Sequence, residues 1–401
     1  MKIVQVGTGF VPVSPSVTGG AEKYIHYLSA SLQRLGHQVT VIDMPATPAS
    51  PSSYRRLEVP IPWRRDSNLV AHALRGLLFG RSVARHLERL IQAGGWDVIN
   101  FHSQFTGVAG IPVARRHTVP TVYTMHSPLW SDLAVCQSRL QRAKFWLERR
   151  AEAKADAVIG LSQLVTEHRA RYFGLARARA AVVPVGVDDF WFESKAVGAP
   201  VEERYCPSGE PLILHVGRMA PYKNQLILAQ ALPRLLAAVP NARLVFVGPQ
   251  DSSSYLRRVR AVVAEARAED HVIFAGAIPL EELAQIYGLA QVFVLPSLQE
   301  NCPQVLLEAM AQGKAIVASD IPTVREMLPQ GSAELVLPLD QEALAQTLIR
   351  LLLDAGARDE LGARARQRAY DVYRWEKVAC RIVEAYRRLA RGPAEVARVV
   401  G

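Results

Sequence analysis

A chain of 401 residues is too long for one typical core, so two domains are expected. Its composition, 49% hydrophobic and 21% charged, is that of a globular protein. The net charge of +10, from 47 Lys and Arg against 37 Asp and Glu, favours polyanions, acidic membrane surfaces or phosphorylated substrates without choosing among them.

The N-terminus, Met1-Lys2-Ile3-Val4-Gln5-Val6-Gly7, enters a strand at once and lacks the apolar core and cleavage site of a signal peptide. No apolar run approaches the roughly 18 residues needed to span a bilayer. Both features point to a cytoplasmic protein, with peripheral attachment at the inner membrane face left open. Cys136, Cys206, Cys302 and Cys380 are scattered without C-x-x-C spacing. That fits free thiols in a reducing compartment better than a disulfide framework or a zinc site. Short β-branched runs such as Ile3–Val6, Val39–Ile42, Trp96–Phe101, Leu212–Val216 and Leu244–Val247 alternate with helical patterns, which predicts α/β architecture with covered parallel sheets.

The first strand runs into Gly7-Thr8-Gly9-Phe10, but Pro12 stands where a G-x-G-x-x-G fingerprint needs its third glycine. The glycines able to approach a phosphate, Gly19 and Gly20, instead open a helix with Tyr24, Leu28 and Leu32 on one face and Gly36 as its stop. Asp43 ends the second strand, about thirty residues past the glycines where a dehydrogenase acid lies about twenty past, and reads as a turn residue. Residues 45–62 read as a long loop. A helix over 67–93 carries Arg75, Arg81, Arg85 and Arg89 among leucines, either solvated or near an anionic membrane. Two strands end in histidine, His102 and His126, where α/β sheets hold ligands. Residues 133–150 mix Leu133, Phe145 and Trp146 with several Arg and Lys, a solvated face or one that meets an acidic acceptor or a membrane. Ser162 caps a helix after the next strand. Residues 190–210 read as linker.

The second half opens with Leu212–Val216, then Gly217-Arg218-Met219-Ala220-Pro221-Tyr222-Lys223. Arg218 and Lys223 place two cations at a strand-to-helix turn. The apolar run Val292–Leu295 leads through Ser297 and Glu300 to a helix that Asn301 or Cys302 caps, with Pro303 at its first position. The first turn of such a helix points N–H groups at an anion, with Glu300 before it and Glu308 in its second turn. Ala315–Ser319 is the last strong strand, and a helical tract over 341–391 ends the chain. Tyr373 and Lys377 match a Y-x-x-x-K pattern, read as chance in this Arg-rich tail.

Glu300 and Glu308, eight positions apart and followed by Ala309-Met310-Ala311 and Gly313, resemble the E-x7-E motif of retaining glycosyltransferases of family 4. Gly19-Gly20-Ala21-Glu22 is similar to the family's helix start. Gly217-Arg218 with Lys223 resembles its G-R-x4-K element, and His126 the strand-end histidine that reaches the donor sugar. Asn224 and Ser127 depart from the family's usual Gly and Asp. The resemblance implies the GT-B fold, two Rossmann-like doubly wound parallel-sheet domains facing across a cleft. It implies an acceptor-side domain over 1–189, a linker over 190–210, a nucleotide-sugar domain over 211–372, and a helix over 373–401 that crosses back to the first domain, anchored by Trp375.

The activity implied is transfer of a hexose-type sugar from a UDP- or GDP-linked donor to a glycan, lipid-linked or small-molecule hydroxyl. No nucleic acid is expected as a partner. With no D-x-D, no metal or other cofactor is expected. Arg218 and Lys223 then meet the leaving diphosphate. Asn301, Cys302, Pro303, Gln304 and Val305 line the donor, their amides adding to the cations. Glu308 takes ribose hydroxyls, Glu300 a sugar hydroxyl, and Gly19 and Gly20 the donor side. A nucleotide-sugar epimerase on the same fold and a nicotinamide-dependent oxidoreductase are the alternative activities.

Overall fold

The structure is a computed structural model that describes residues 1–15, 19–45, 52–61, 69–126, 139–193, 196–250 and 253–390. The chain forms two compact units, Met1–Gly186 with Trp375–Gly401, and Val187–Arg374.

The first unit holds strands β1 (Lys2–Val6), β2 (Gln38–Asp43), β3 (Arg55–Glu58), β4 (Val98–Phe101), β5 (Thr121–Met125), β6 (Ala157–Gly160) and β7 (Ala180–Val182). They form one parallel sheet in the order β3-β2-β1-β4-β5-β6-β7. One face is apolar: Val4, Val6, Ile99, Phe101, Tyr123 and Met125 pack on Phe79, Val83 and Leu87 of helix Leu69–Gln92. The other face meets helices Gly20–Arg34 and Trp375–Ala390, which lie against each other. Trp375 is buried, its ring 5.2 Å from Tyr24 and stacked on Tyr27 at 6.1 Å. A Cβ on Gly186 would come within 2.4 Å of that ring, so only glycine lets the backbone pass there.

The second unit holds β8 (Leu212–Val216), β9 (Arg243–Val247), β10 (Val272–Gly276), β11 (Val292–Leu295), β12 (Ala315–Ser319) and β13 (Glu334–Val336). This sheet is also parallel, in the order β10-β9-β8-β11-β12-β13. Its core joins Ile213, Leu244, Val292 and Val317 to Leu228, Leu232 and Leu348 of the covering helices.

Several expectations need correcting. The loop over 45–62 contains strand β3, hidden because its sequence, R-R-L-E, is charged and lies half-exposed at the sheet edge. Strand β13 was likewise not expected. The proposed linker 190–210 falls within the second unit. There Asp189–Phe192 and Ala199–Tyr205 are helical, and Trp191 and Tyr205 are buried. The crossovers fall at 186/187 and 374/375 rather than at 189 and 372. The tract 341–391 is three helices, Gln341–Leu353, Ala355–Arg368 and Trp375–Ala390, with a π turn over Ala369–Tyr373. Ser127 and the start of the basic helix at Leu133 lie outside the described residues, and that helix is described over Arg139–Lys154.

Candidate active site

In each doubly wound sheet the order reverses at one place, and loops leaving the carboxyl ends of the two flanking strands open a crevice there. In the second unit those strands are β8 and β11. The loop after β8 carries Arg218 and Lys223, and the loop after β11 carries Ser297, Glu300 and Asn301. The two loops are stitched together, Leu298 N donating to Tyr222 O at 2.8 Å. Lys223 Nζ donates to Glu300 Oε1 at 2.5 Å, with the two side chains only 13% and 8% exposed. An ammonium has three hydrogens, so this bond leaves two for an anionic ligand.

The backbone around Arg218 is rigidly placed. Gly217 N donates to Val247 O at 2.8 Å and Met219 N to Pro249 O at 2.9 Å. Gly248 has φ +138, and a Cβ there would meet Gly217 O at 2.3 Å. Arg218 itself is exposed. Its carbonyl accepts from Gln225 Nε2 at 2.9 Å, and the same nitrogen lies 3.1 Å from His215 Nε2. His215 Nδ1 donates to Val294 O at 3.0 Å. Burial, with Lys223 close by, pushes His215 down to about 4, so it is neutral at pH 7. Ser297 Oγ and Gln225 Oε1 are buried without a hydrogen-bond partner among the described residues. Orphaned polar atoms of this kind mark a place that a ligand or water completes.

The helix after β11 starts later than expected. It spans Gln304–Ala311 with Pro303 as its cap residue, at φ −69 and ψ 114. Pro303 therefore precedes the first turn, and Asn301 and Cys302 belong to the loop. Of the expected amides only Gln304 and Val305 lie in the first turn. Glu308 is buried on this helix, 3.4 Å from Tyr287 Oη, which also donates to Val305 O at 3.1 Å. Lys223 closes a 3-10 turn rather than starting a helix, and Asn224 follows at φ +56. That left-handed conformation suits glycine, and asparagine is the side chain that tolerates it best. Its amide also donates to Pro338 O at 2.9 Å.

In the first unit Gly19 caps helix Gly20–Arg34. Thr8 Oγ1 donates to Glu22, and a Cβ on Gly19 would lie 2.0 Å from the Glu22 carboxylate. A Cβ on Gly20 would meet nothing within 4 Å, so the protein itself gives no steric reason for that glycine. His126 leaves β5 half-buried, with Nε2 2.9 Å from His102 Nδ1 and the Tyr24 ring edge-on at 4.9 Å. Burial pushes His126 down to about 3 and holds His102 well below its ordinary value. Asp43, by contrast, is fully buried and ties one carboxylate oxygen into the protein. It accepts from Val13 N and Arg56 Nη2, each at 2.7 Å, and burial raises it to about 6.

Arg218, Lys223, Glu300 and Glu308 thus flank one switch point of the second unit, and Gly19, Gly20 and His126 lie in the first. Gln225, His215, Tyr287, Gln5 and Tyr386 were missed. For His215 and Gln5 the signal was a polar residue inside an apolar strand, L-I-L-H-V and K-I-V-Q-V. Among the described residues no group of three or more His, Cys, Asp or Glu converges as a metal site, and no helix is long and apolar enough to cross a membrane.

Residues 202–368 match the family described as glycosyl transferases group 1, and residues 18–189 match glycosyltransferase family 4. The chain is 30% identical over 389 residues to a phosphatidyl-myo-inositol mannosyltransferase of Mycolicibacterium smegmatis, covering 94% of this chain and 92% of that one. It is 30% identical over 391 residues to a D-inositol 3-phosphate glycosyltransferase of Xylanimonas cellulosilytica, covering 92% and 91%. Among solved structures, sucrose-phosphate synthase from Thermosynechococcus elongatus matches with a TM-score of 0.77 at 24% identity, over 97% of this chain and 98% of that one.

Proposed function

This chain belongs to glycosyltransferase family 4 and has its GT-B fold, and on that premise we propose that it is a retaining hexosyltransferase using a UDP- or GDP-linked sugar. The observation that carries the assignment is the Lys223–Glu300 pair beside the Arg218 turn, at a switch point that also holds orphaned Ser297 and Gln225 atoms. Arg218 and the two remaining Lys223 hydrogens meet the diphosphate, so charge developing as the anomeric bond breaks falls on fixed cations. Each such contact near 4 Å is worth about 4 kcal/mol at an effective dielectric of 20, before desolvation. Amides of Gln304 and Val305 add to them, and no metal enters this reading. Glu308 takes ribose hydroxyls and Glu300 a sugar hydroxyl. His126 bonds a substrate hydroxyl.

For the acceptor, the names of the two relatives make an inositol phosphate or its lipid the first to assay, beside other glycans. Exposed Arg81, Arg85, Arg142, Arg149 and Arg150 of the first unit favour an anionic acceptor or an anionic membrane surface. A thermal-shift screen with UDP, GDP, ADP and TDP, followed by turnover of the matching sugar donors, tests the assignment. One or more of these nucleotides should raise the melting temperature. Near-normal turnover of every donor by both Arg218→Ala and Lys223→Ala would refute the diphosphate role.

A further inference from the structure

Strands buried on both faces of a parallel sheet ordinarily read as apolar runs. Here β1, β4 and β5 carry Gln5, Asn100 and Thr124 on the face away from the apolar core, all fully buried. Gln5 and Asn100 are register partners. Their side-chain amides both donate to Tyr386 Oη of the C-terminal helix, at 3.2 and 2.9 Å. Thr124 Oγ1 donates to Asn100 Oδ1 at 3.0 Å. With its NH2 turned to Tyr386, Gln5 points its carbonyl at His102 Nε2, 2.7 Å away.

A ring nitrogen facing a carbonyl oxygen at that distance carries a hydrogen. His102 is neutral, because burial and the neighbouring His126 hold it well below its ordinary value. Its Nδ1 is therefore a bare lone pair. That lone pair lies 2.9 Å from His126 Nε2, which must then carry the hydrogen between them. Burial keeps His126 singly protonated as well, so its own Nδ1 is bare.

We propose that Gln5 and Tyr386 are positioning residues that fix His126 as its Nε2–H tautomer. His126 Nδ1 is then an acceptor for a substrate hydroxyl, and neither a hydrogen-bond donor nor a general acid. The chain of bonds runs from the last helix through β1 and β4 to β5, so the segment that returns to the first unit also sets the chemistry of His126. The functional part rests on the assignment of His126 to a substrate hydroxyl. The tautomer assignment does not.

Long-range nitrogen–proton NMR of the histidine-labelled full-length protein without substrate reads each ring directly. At pH 7 both His102 and His126 should appear as Nε2–H, with assignment from His102→Asn and His126→Asn. An Nδ1–H form at either ring in the unmodified protein overturns the proposal. Gln5→Leu removes the acceptor that starts the chain. It should give a mixture of tautomers at His126 and lower kcat about tenfold with donor KM unchanged, the size of one hydrogen bond made in the transition state. Unchanged tautomers in a folded Gln5→Leu protein also overturn it. Should that variant not fold, the spectrum of the unmodified protein still decides. If both tautomers are as expected but His126→Ala turns over donor normally, the substrate role of His126 falls and the tautomer chain stands.

Discussion

The loops after β8 and β11 carry charge, whereas those after β4 and β5 carry two neutral imidazoles. In the second unit Lys223 and Glu300 form an ion pair with Arg218 exposed beside them. In the first, burial holds His102 and His126 below the ordinary imidazole value, and a chain of neutral donors and acceptors links them to Tyr386. The difference teaches what each end of a sheet can do. Fixed cations stabilise a departing diphosphate, whose charge grows during reaction. A neutral ring held in one tautomer orients a hydroxyl without adding charge.

The largest expected effect breaks the charged side of this comparison. Arg218→Ala and Lys223→Ala should each lower kcat/KM for the donor by about 10²–10³, the scale of losing one preorganised electrostatic contact. Steady-state kinetics with the donor found in the nucleotide screen measures it. Lys223→Ala should also leave the mostly buried Glu300 without its partner, so its loss should be the greater.

A second test compares one imidazole from each unit. His215 ordinarily titrates near 6.5 and is held at about 4 in the fold. The unfolded chain therefore takes up the proton first, and the stability His215 contributes is present above 6.5 and lost as pH falls towards 4. At pH 5 the loss is about 2 kcal/mol relative to pH 7. The stability gap between the unmodified protein and His215→Asn, read by urea denaturation, should narrow by that amount over this range. His126→Asn should show the same sign with a wider window, since that ring is held at about 3.

Tyr386→Phe comes next. It strips one acceptor from two buried amides, Gln5 and Asn100, and should cost about 1–3 kcal/mol in urea denaturation. It leaves the ion pair of the second unit untouched, so nucleotide binding should survive. The smallest effect is at the turn after Lys223. Asn224→Ala keeps a Cβ at φ +56 but loses the side-chain amide that eases that conformation and bonds Pro338, and should cost about 1 kcal/mol, while Asn224→Gly removes the Cβ strain and loses only the bond to Pro338.

Much of the charged site was legible before any coordinates. Arg218, Lys223 and Glu300 stand in the loops past two strand ends, where charged residues have few packing roles, and Glu308 follows eight positions after Glu300. The neutral network was not legible. Gln5, Asn100 and Tyr386 are separated by up to 381 residues; Gln5 and Asn100 each read alone as an odd polar residue in an apolar strand, and Tyr386 as an aromatic among the charges of a helix. Strand β3 stayed hidden for a related reason, since a charged edge strand exists only because β2 is there to pair with it.

Local pattern by itself determined the alternation of strands and helices, the two-domain count, the glycine-led helix start and the cations after β8. Periodicity and turn chemistry act over a few residues, so the chain encodes them locally. Tertiary structure alone decided that Trp191 and the helix Ala199–Tyr205 belong to the second unit, that Pro303 caps its helix rather than opening it, and that Lys223 pairs with Glu300. It also decided that the last helix reaches back to hold Gln5 and, through it, the ring of His126. Those outcomes depend on burial and on partners far apart in the chain, which no short window of sequence contains.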